Sequence, residues 1–299
     1  MPNVEKVVAI DCGGTNLRVA VVDKDLNVLA VERVPSIANN IELLYQTMKT
    51  LIDKVTEKAG LKNVPSIGVS MCGVVVHNKI GRVGNLGIDS NFDLEGLLKK
   101  DFPGVKVLIA NDGNCSALVE AEYGVNKGLK DSAFVTISTG IGLGVVHCGE
   151  MIDLPLEAGR MMTEYRNKIY ETEGLLSGTG IVKLAALHGL KIQGGADFFA
   201  GVKEKKEDYL KVYNVWTKKL GLWFANLQLL FDVSQYALSG GVMKSKDVWV
   251  TDVERIANAA IAPWKFNKVV FQEAKYGQDV GIAAAGCLAW HVLNKEERK

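Results

Sequence analysis

Apolar residues recur along the first third of the chain with two different periods. Lys6 to Ile10, Leu17 to Val22 and Val28 to Val34 are short β-branched runs separated by Gly-Gly and by an Asp/Asn turn, a pattern that predicts an antiparallel meander. Ile41, Leu44, Tyr45, Met48, Leu51, Ile52 and Val55 then return at three- and four-residue intervals. That spacing predicts a helix with one apolar stripe turned to the sheet and Asn39 or Asn40 at its N-cap. Ile67 to Ser70 and Val105 to Ala110 read as buried strands, the second leading into a helix from Asn114 to Tyr123. Strands alternating with helices imply an α/β domain.

The opening pattern returns about 125 residues later, where Phe134 to Ser138, a glycine-bearing turn and Gly144 to Cys148 echo the first two strands. Two like α/β domains facing each other across a cleft are expected. A long helix is predicted from Tyr209 to Phe231, with Tyr213, Trp216, Leu220, Trp223, Phe224, Leu227 and Phe231 on a stripe that reads as core. Tyr236 to Ser239 and Val269 to Phe271 read as strands, and Asp279 to Leu293 as a closing helix. No Pro- or Gly-rich linker separates the halves, which places the boundary at a hinge near Asp112. The mixed-charge run Lys203 to Asp208 reads as solvated surface.

Composition narrows the function classes. The chain has 299 residues, 48% of them apolar, with 35 basic against 34 acidic side chains, and no Lys/Arg-rich tract. Length suffices for two domains, and the charge balance gives no footprint for duplex nucleic acid or an anionic membrane. No apolar stretch reaches the roughly 18 to 20 residues that span a bilayer, and the N-terminus lacks the basic-then-apolar order of a signal peptide. Five cysteines, Cys12, Cys72, Cys115, Cys148 and Cys287, lie far apart and are odd in number, which suits reduced thiols. The expectation is a soluble, cytoplasmic protein.

Three glycine turns and one carboxylate pair carry the candidate chemistry. Asp11-Cys12-Gly13-Gly14-Thr15-Asn16 joins two strands. Its glycines could bring backbone N–H groups to an anion while Asp11 holds Mg²⁺ through water, or could only supply positive φ to a tight hairpin. Ser138-Thr139-Gly140-Ile141-Gly142-Leu143-Gly144 is the second turn. A dinucleotide fingerprint would need a glycine at 145 and a following helix, whereas Val145-Val146 continues as a strand, so a phosphate-binding hairpin is the reading. The third, Ser239-Gly240-Gly241-Val242, follows a strand and opens a helix, which suits a nucleobase or a phosphate. Asn111-Asp112 ends the strand Val105 to Ala110; its carboxylate could take a proton from an alcohol during phosphoryl transfer, or could merely cap the next helix. Neither GxxxxGK[ST] nor HExxH occurs, and His77, His147, His188 and His291 are expected to form no metal-ligand cluster.

Together these motifs resemble the ROK family of sugar kinases and sugar-responsive repressors, within the superfamily of sugar kinases, actins and heat-shock ATPases. The resemblance implies two actin-like, ribonuclease H-like α/β domains around a central cleft: a small one over 1–112, with the closing helix 279–299 packed back on it, and a large one over 113–278. It assigns Asp112 as the general base, and Gly13, Gly14, Thr15, Asn16, Thr139, Gly140, Gly142, Gly240 and Gly241 to ATP. Gly84-Asn85-Leu86-Gly87 looks like the family's Asn-Leu segment, Glu157-Ala158-Gly159-Arg160 stands in place of Glu-x-Gly-His, and Glu173 matches its second sugar-binding Glu. Sugar contacts are thereby implied for Asn85, Asn111, Asp112, Glu157, Arg160 and Glu173. From the residues alone, Asn85 could equally stabilise a turn and Glu157 or Glu173 lie on the surface.

Two departures stand out: Met161 to Glu173 contains no cysteine, and Arg160 replaces the His, so the family's zinc site is not expected. Arg160 could fill the pocket, reach another hydroxyl, or favour an anionic or substituted sugar. The implied activity is an ATP- and Mg²⁺-dependent kinase acting on a primary hydroxyl of a hexose or hexose derivative, β-glucosides included, in a homodimer. Closure of the domains would exclude water, and hydrolysis of ATP without sugar should be slow. The rival readings are a sugar-sensing regulator without a DNA-binding domain, and a filament-forming or chaperone-like ATPase.

Overall fold

The β-branched runs at the N-terminus form β1 (Lys6–Cys12), β2 (Asn16–Asp23) and β3 (Val28–Pro35), followed by α1 (Ile41–Ala59), β4 (Ser66–Met71), the short hairpin β5 (Val75–Val76) and β6 (Lys79–Ile80), α2 (Leu94–Asp101) and β7 (Lys106–Asn111). The computed structural model describes residues 4–88, 92–264, 266–277 and 280–297. Contacts divide the chain into two units: Met1–Val119, Ile152–Pro155 and Asp279–Lys299, then Glu120–Met151 and Leu156–Gln278.

In the first unit the sheet order is β3-β2-β1-β4-β7, antiparallel across β1, β2 and β3 and parallel from β1 through β4 to β7. The helical stripe read from the sequence is the buried face of α1: Leu44, Tyr45, Met48, Leu51, Ile52 and Val55 all lose their solvent exposure. Burying each such side chain contributes about 1.5–3 kcal/mol relative to exposure. Of the two cap candidates it is Asn40 whose side chain accepts the Leu43 N–H, at 2.9 Å, and Gly60 closes the helix in the left-handed conformation. The C-terminal helix, Gly281–Glu297, packs on β4 and β1. It comes close because β4 carries Gly68, where a Cβ would stand 1.9 Å from Ala285 O. Residues 279, 298 and 299 of the expected closing helix lie outside the described residues.

α3 (Asp112–Glu122) leads into the second unit, which continues with β8 (Ser132–Ile137), β9 (Ile141–His147), β10 (Glu150–Met151), the hairpin β11 (Met162–Tyr165) and β12 (Lys168–Glu171), and the helices α4 (Glu173–Leu176), α5 (Gly178–Leu187), α6 (Gly195–Lys203) and α7 (Glu207–Phe231). β13 (Tyr236–Ser239), α8 (Lys246–Ile261) and β14 (Phe271–Glu273) complete it. Its sheet runs β10-β9-β8-β13-β14, the same order and the same directions as the first. The weak repeat in the sequence is thus a repeat of topology. The aromatic stripe of α7 is core: Trp216 meets Phe199 and Trp249 edge-on, each at 5.5 Å, and Phe224 meets Tyr236 and Phe271 at 5.4 and 4.6 Å. Each such pair adds about 0.5–1.5 kcal/mol beyond its buried area. The indole N–H groups of Trp216 and Trp223 donate to Leu176 O and Ala158 O at 3.0 and 3.1 Å, so neither is buried unpaired.

Two of the boundaries that differ from the sequence reading are set by a side chain. α3 begins at Asp112, not at Asn114, because the Asn111 side chain accepts the Gly113 N–H at 2.8 Å and starts the helix two residues earlier. β14 begins at Phe271, not at Val269: the Asn258 side chain takes both the N–H and the carbonyl of Val269, each at 2.9 Å, and withholds them from the ladder. Among the described residues no helix is long and apolar enough to cross a membrane.

Candidate active site

In the first unit, β1 ends at the turn through Gly13 and Gly14. Neither glycine stands in the left-handed region, so the twist of a hairpin does not explain them. Crowding explains Gly14: a Cβ there would stand 3.0 Å from Asn85 Nδ2, which places the candidate sugar-binding amide directly over the turn. Asn85 itself sits exposed in a 3₁₀ turn over Gly84–Leu86. Around the turn, the Gly13 N–H donates to Asn16 O at 3.0 Å and the Ser36 N–H to Thr15 O at 2.9 Å. Thr15 is exposed, whereas Asn16 is half-buried and accepts the Arg33 Nε–H at 3.0 Å, which turns its amide toward β3.

Asp11 faces Arg18 across the β1–β2 ladder, and both Nε and a terminal guanidinium nitrogen reach Asp11 Oδ2, at 2.7 and 2.6 Å. Burial pushes the Asp11 carboxyl above its ordinary range, and the Arg18 charge and hydrogen bond offset part of that rise. The C-terminal helix starts against the same carboxylate, since a Cβ on Gly281 would lie 2.4 Å from Asp11 Oδ2.

Asn111 and Asp112 both meet the Gly113 N–H at the start of α3. Asn111 caps α3 through Oδ1 and anchors itself by donating Nδ2–H to Gly73 O at 2.7 Å. Asp112 is the first residue of the helix and is exposed, with Oδ1 2.9 Å from the Gly113 N–H. Its charge reaches Cys72, whose thiol is pushed up to about 11 by burial first and by Asp112 second.

In the second unit Glu173 gathers three sequence segments. It opens α4, its Oε2 accepts the Ile141 N–H at 3.0 Å, and Cβ atoms at Gly140 and Gly159 would lie 2.7 and 3.1 Å from that oxygen. The glycine turn at 139–142, the Glu157–Arg160 segment and α4 therefore meet at one carboxylate. Gly142, on β9, faces Thr136 across the ladder. Arg160 Nε bonds Glu157 and its Nη1 bonds Glu171, both at 3.3 Å. Glu171, then Glu157, raise the Arg160 pKa, with Glu173 adding a smaller share. Glu171 was not singled out in the sequence; only the β11–β12 hairpin carries it to Arg160.

A cavity of about 340 Å³ in this unit is lined by both Thr139 and Gly241, with Gly178, Thr179, Phe199 and Lys244 among its other walls. Its size lies in the range of small-molecule sites. Gly240 is held at φ +100°, where a Cβ would stand 2.2 Å from Ile137 O, so only glycine brings β13 round into the cavity wall. Gly178 and Gly195, which open α5 and α6, also line it. The signal for these residues was present in Ser177-Gly178-Thr179-Gly180 and Gly194-Gly195, since glycine at a helix start leaves backbone N–H groups open to a phosphate. The histidines need a correction too: His147 meets Asp131 and Cys148, a group hidden by the 15 residues between Asp131 and His147.

A family model described as "ROK family" matches residues 7–292. The beta-glucoside kinase of Listeria innocua is 26% identical, with 98% of this chain and 99% of that protein aligned. The ROK hexokinase from Thermus thermophilus superposes with a TM-score of 0.81 at 21% identity, covering 97% of this chain and 99% of its own. A ROK family glucokinase from Streptomyces griseus, solved with glucose and AMPPNP, gives 0.68 at 19% identity over 96% and 99% of the two chains. The family match runs through both units, and these relatives share its full length: the chain belongs to the ROK family.

Proposed function

We propose that this chain is an ATP-dependent kinase that moves the γ-phosphoryl group to a primary hydroxyl of a hexose or hexose derivative. The observation that carries the reading is the Asp112 carboxylate, exposed at the end of β7 and the start of α3 beside the anchored amide of Asn111. Full-length kinship to a protein named as a beta-glucoside kinase supports it. Asp112 takes the hydroxyl proton as the oxygen attacks the γ-phosphorus; the bond to the β–γ bridging oxygen breaks, and ADP leaves. Asn85, Asn111, Asp112, Glu157 and Glu173 read the sugar hydroxyls, in pairs that both donate and accept.

The phosphates lie at Gly13-Gly14-Thr15 and at Thr139-Gly140, with adenosine at Gly240-Gly241 in the cavity; Asn16 and Gly142 hold the two turns in shape. Mg²⁺ fits the donor chemistry of Asp11, a carboxylate whose Oδ2 is held by Arg18, with water completing the contact. When bound, the ion would offset the negative charge of the phosphates. Arg160 serves to position Glu157. Two carboxylates already neutralise it, which favours neutral sugars over anionic ones and keeps β-glucosides in view as a second substrate reading. The protein is proposed to act in the cytoplasm as a homodimer, a state that sedimentation would reveal.

The test is coupled ADP release from Mg-ATP across glucose, mannose, fructose, allose, N-acetylated hexosamines and β-glucosides, beside Asp112→Asn. One sugar should stimulate release, and the variant should lose that stimulation by several orders of magnitude while still binding nucleotide. Equal ADP release with and without every sugar would sink the reading.

A further inference from the structure

At the end of β9 away from Glu173, the chain turns through Cys148-Gly149, and both residues have positive φ, +52° and +79°. His147 pairs with Glu150 across this two-residue hairpin. Such a turn prefers Asn-Gly, and a cysteine in the left-handed region is strained without helping the turn. Its side chain has a different neighbour: Cys148 Sγ lies 3.4 Å from His147 Nε2. The other ring nitrogen, Nδ1, is 2.7 Å from Asp131 Oδ1, and that oxygen also accepts the Cys148 N–H at 3.0 Å. The Gly149 N–H donates to Lys130 O at 2.9 Å, which fixes the hairpin tip against the strand entrance. One donor atom from each of the three side chains lies within 4.8 Å of the other two.

We propose that His147, Cys148 and Asp131 form a binding site for a borderline-soft divalent cation of the Zn²⁺ class, separate from phosphoryl transfer. The separation of nitrogen and sulfur carries the assignment. Around a tetrahedral ion with Zn–S of about 2.3 Å and Zn–N of about 2.0 Å, the N···S edge is about 3.5 Å, against 3.4 Å between Nε2 and Sγ. Both atoms can therefore ligate one ion with little rearrangement. Asp131 then does what outer carboxylates do for metal-bound histidines: it fixes the tautomer with the proton on Nδ1 and makes Nε2 the better donor.

Binding releases the Cys148 thiol proton to solvent, so affinity rises with pH. Thiolate and imidazole select against Mg²⁺ and Ca²⁺, which take oxygen ligands. The His147 side chain is 67% exposed, and the two remaining coordination positions belong to water, which makes this site weaker than a closed four-ligand one. Six steps along β9 at about 3.3 Å each put the tip about 20 Å from Ile141, at the Glu173 end of the strand.

Co²⁺ titration of the reduced, chelator-treated chain tests the site, with thiolate-to-cobalt charge-transfer absorption as the readout. The band should saturate at one Co²⁺ per chain and disappear when Zn²⁺ is added. It should be absent in Cys148→Ser and in His147→Ala, with circular dichroism showing both variants folded. Asp131→Asn should keep the band at about 10- to 100-fold lower affinity. No band in the unaltered chain, or a band surviving Cys148→Ser, overturns the proposal; half an equivalent at saturation overturns a ligand set drawn from a single chain.

Discussion

Arg18 stands opposite Asp11 because the β1–β2 ladder counts outward from the turn as Cys12 with Leu17, then Asp11 with Arg18. Burial raises the Asp11 carboxyl pKa, so between the ordinary carboxylate value and that raised value the native state holds more protons than the unfolded state. Stability consequently falls as pH rises through that window. Arg18→Met removes the offsetting charge and raises the carboxyl further. The variant should be less stable than the parent by about 1–3 kcal/mol at neutral pH, with the gap narrowing below about pH 4, where Asp11 is protonated in either state. Urea unfolding at both pH values checks this, and a gap that widens in acid would refute it.

The same register is countable from the sequence, as four turn residues flanked by two apolar runs, but the pair shows only when charges are followed across the turn and not along the chain. Asp112 was legible as a motif, while the sharing of the Gly113 N–H between its carboxylate and the Asn111 amide was not, since that depends on which way both side chains point. Glu171 lay further out of reach, since the partners of Arg160 are chosen by a hairpin that no periodicity in Met162–Glu171 announced.

At the scale of elements, legibility followed amphipathicity. α1, with six buried positions on one stripe, and α7, with its aromatic face, were found nearly to the residue. α5 and α6 were not assigned, because each opens on glycine, a poor helix former, and is held by what it packs against. β4 shows how little a strand's own pattern reveals of its partner. Every residue from Ser66 to Met71 is buried, and the one that sets the spacing is the smallest, Gly68. Gly68→Ala forces a methyl group into the carbonyl of Ala285 and the amide of Ala289, backbone atoms that cannot swing aside. A loss of about 3 kcal/mol or more is expected, with hydrogen exchange accelerated along Gly281–Glu297 and in β1 and β4. Unchanged protection in that helix would show that the packing tolerates displacement.

The whole molecule repeats one strand order in two units. Because the cavity with Thr139 and Gly241 belongs to the second unit alone, a non-hydrolysable ATP analogue should protect amides at 139–140, 178–179 and 241–245. At a hundredfold excess over its Kd it should stabilise the fold it binds by about 2.7 kcal/mol. Protection confined to the groove between α1 and α2, lined by Tyr45 and Phe92, would relocate the nucleotide. The doubled topology was visible beforehand only as two strand, glycine-turn, strand segments; the parallel strands that complete each sheet are too short and too uniformly apolar to reveal their order.

The return of the C-terminal helix to the first sheet has a consequence for biosynthesis. A ribosome delivers every strand of the first unit before any of the second, yet the helix that covers β1 and β4 emerges only after the second unit has been made. The nascent chain thus carries an uncovered apolar sheet face through most of its synthesis, while the later unit can close as soon as β14 clears the exit tunnel. The part of the protein made first is completed last, and during that interval it is the surface most in need of a chaperone.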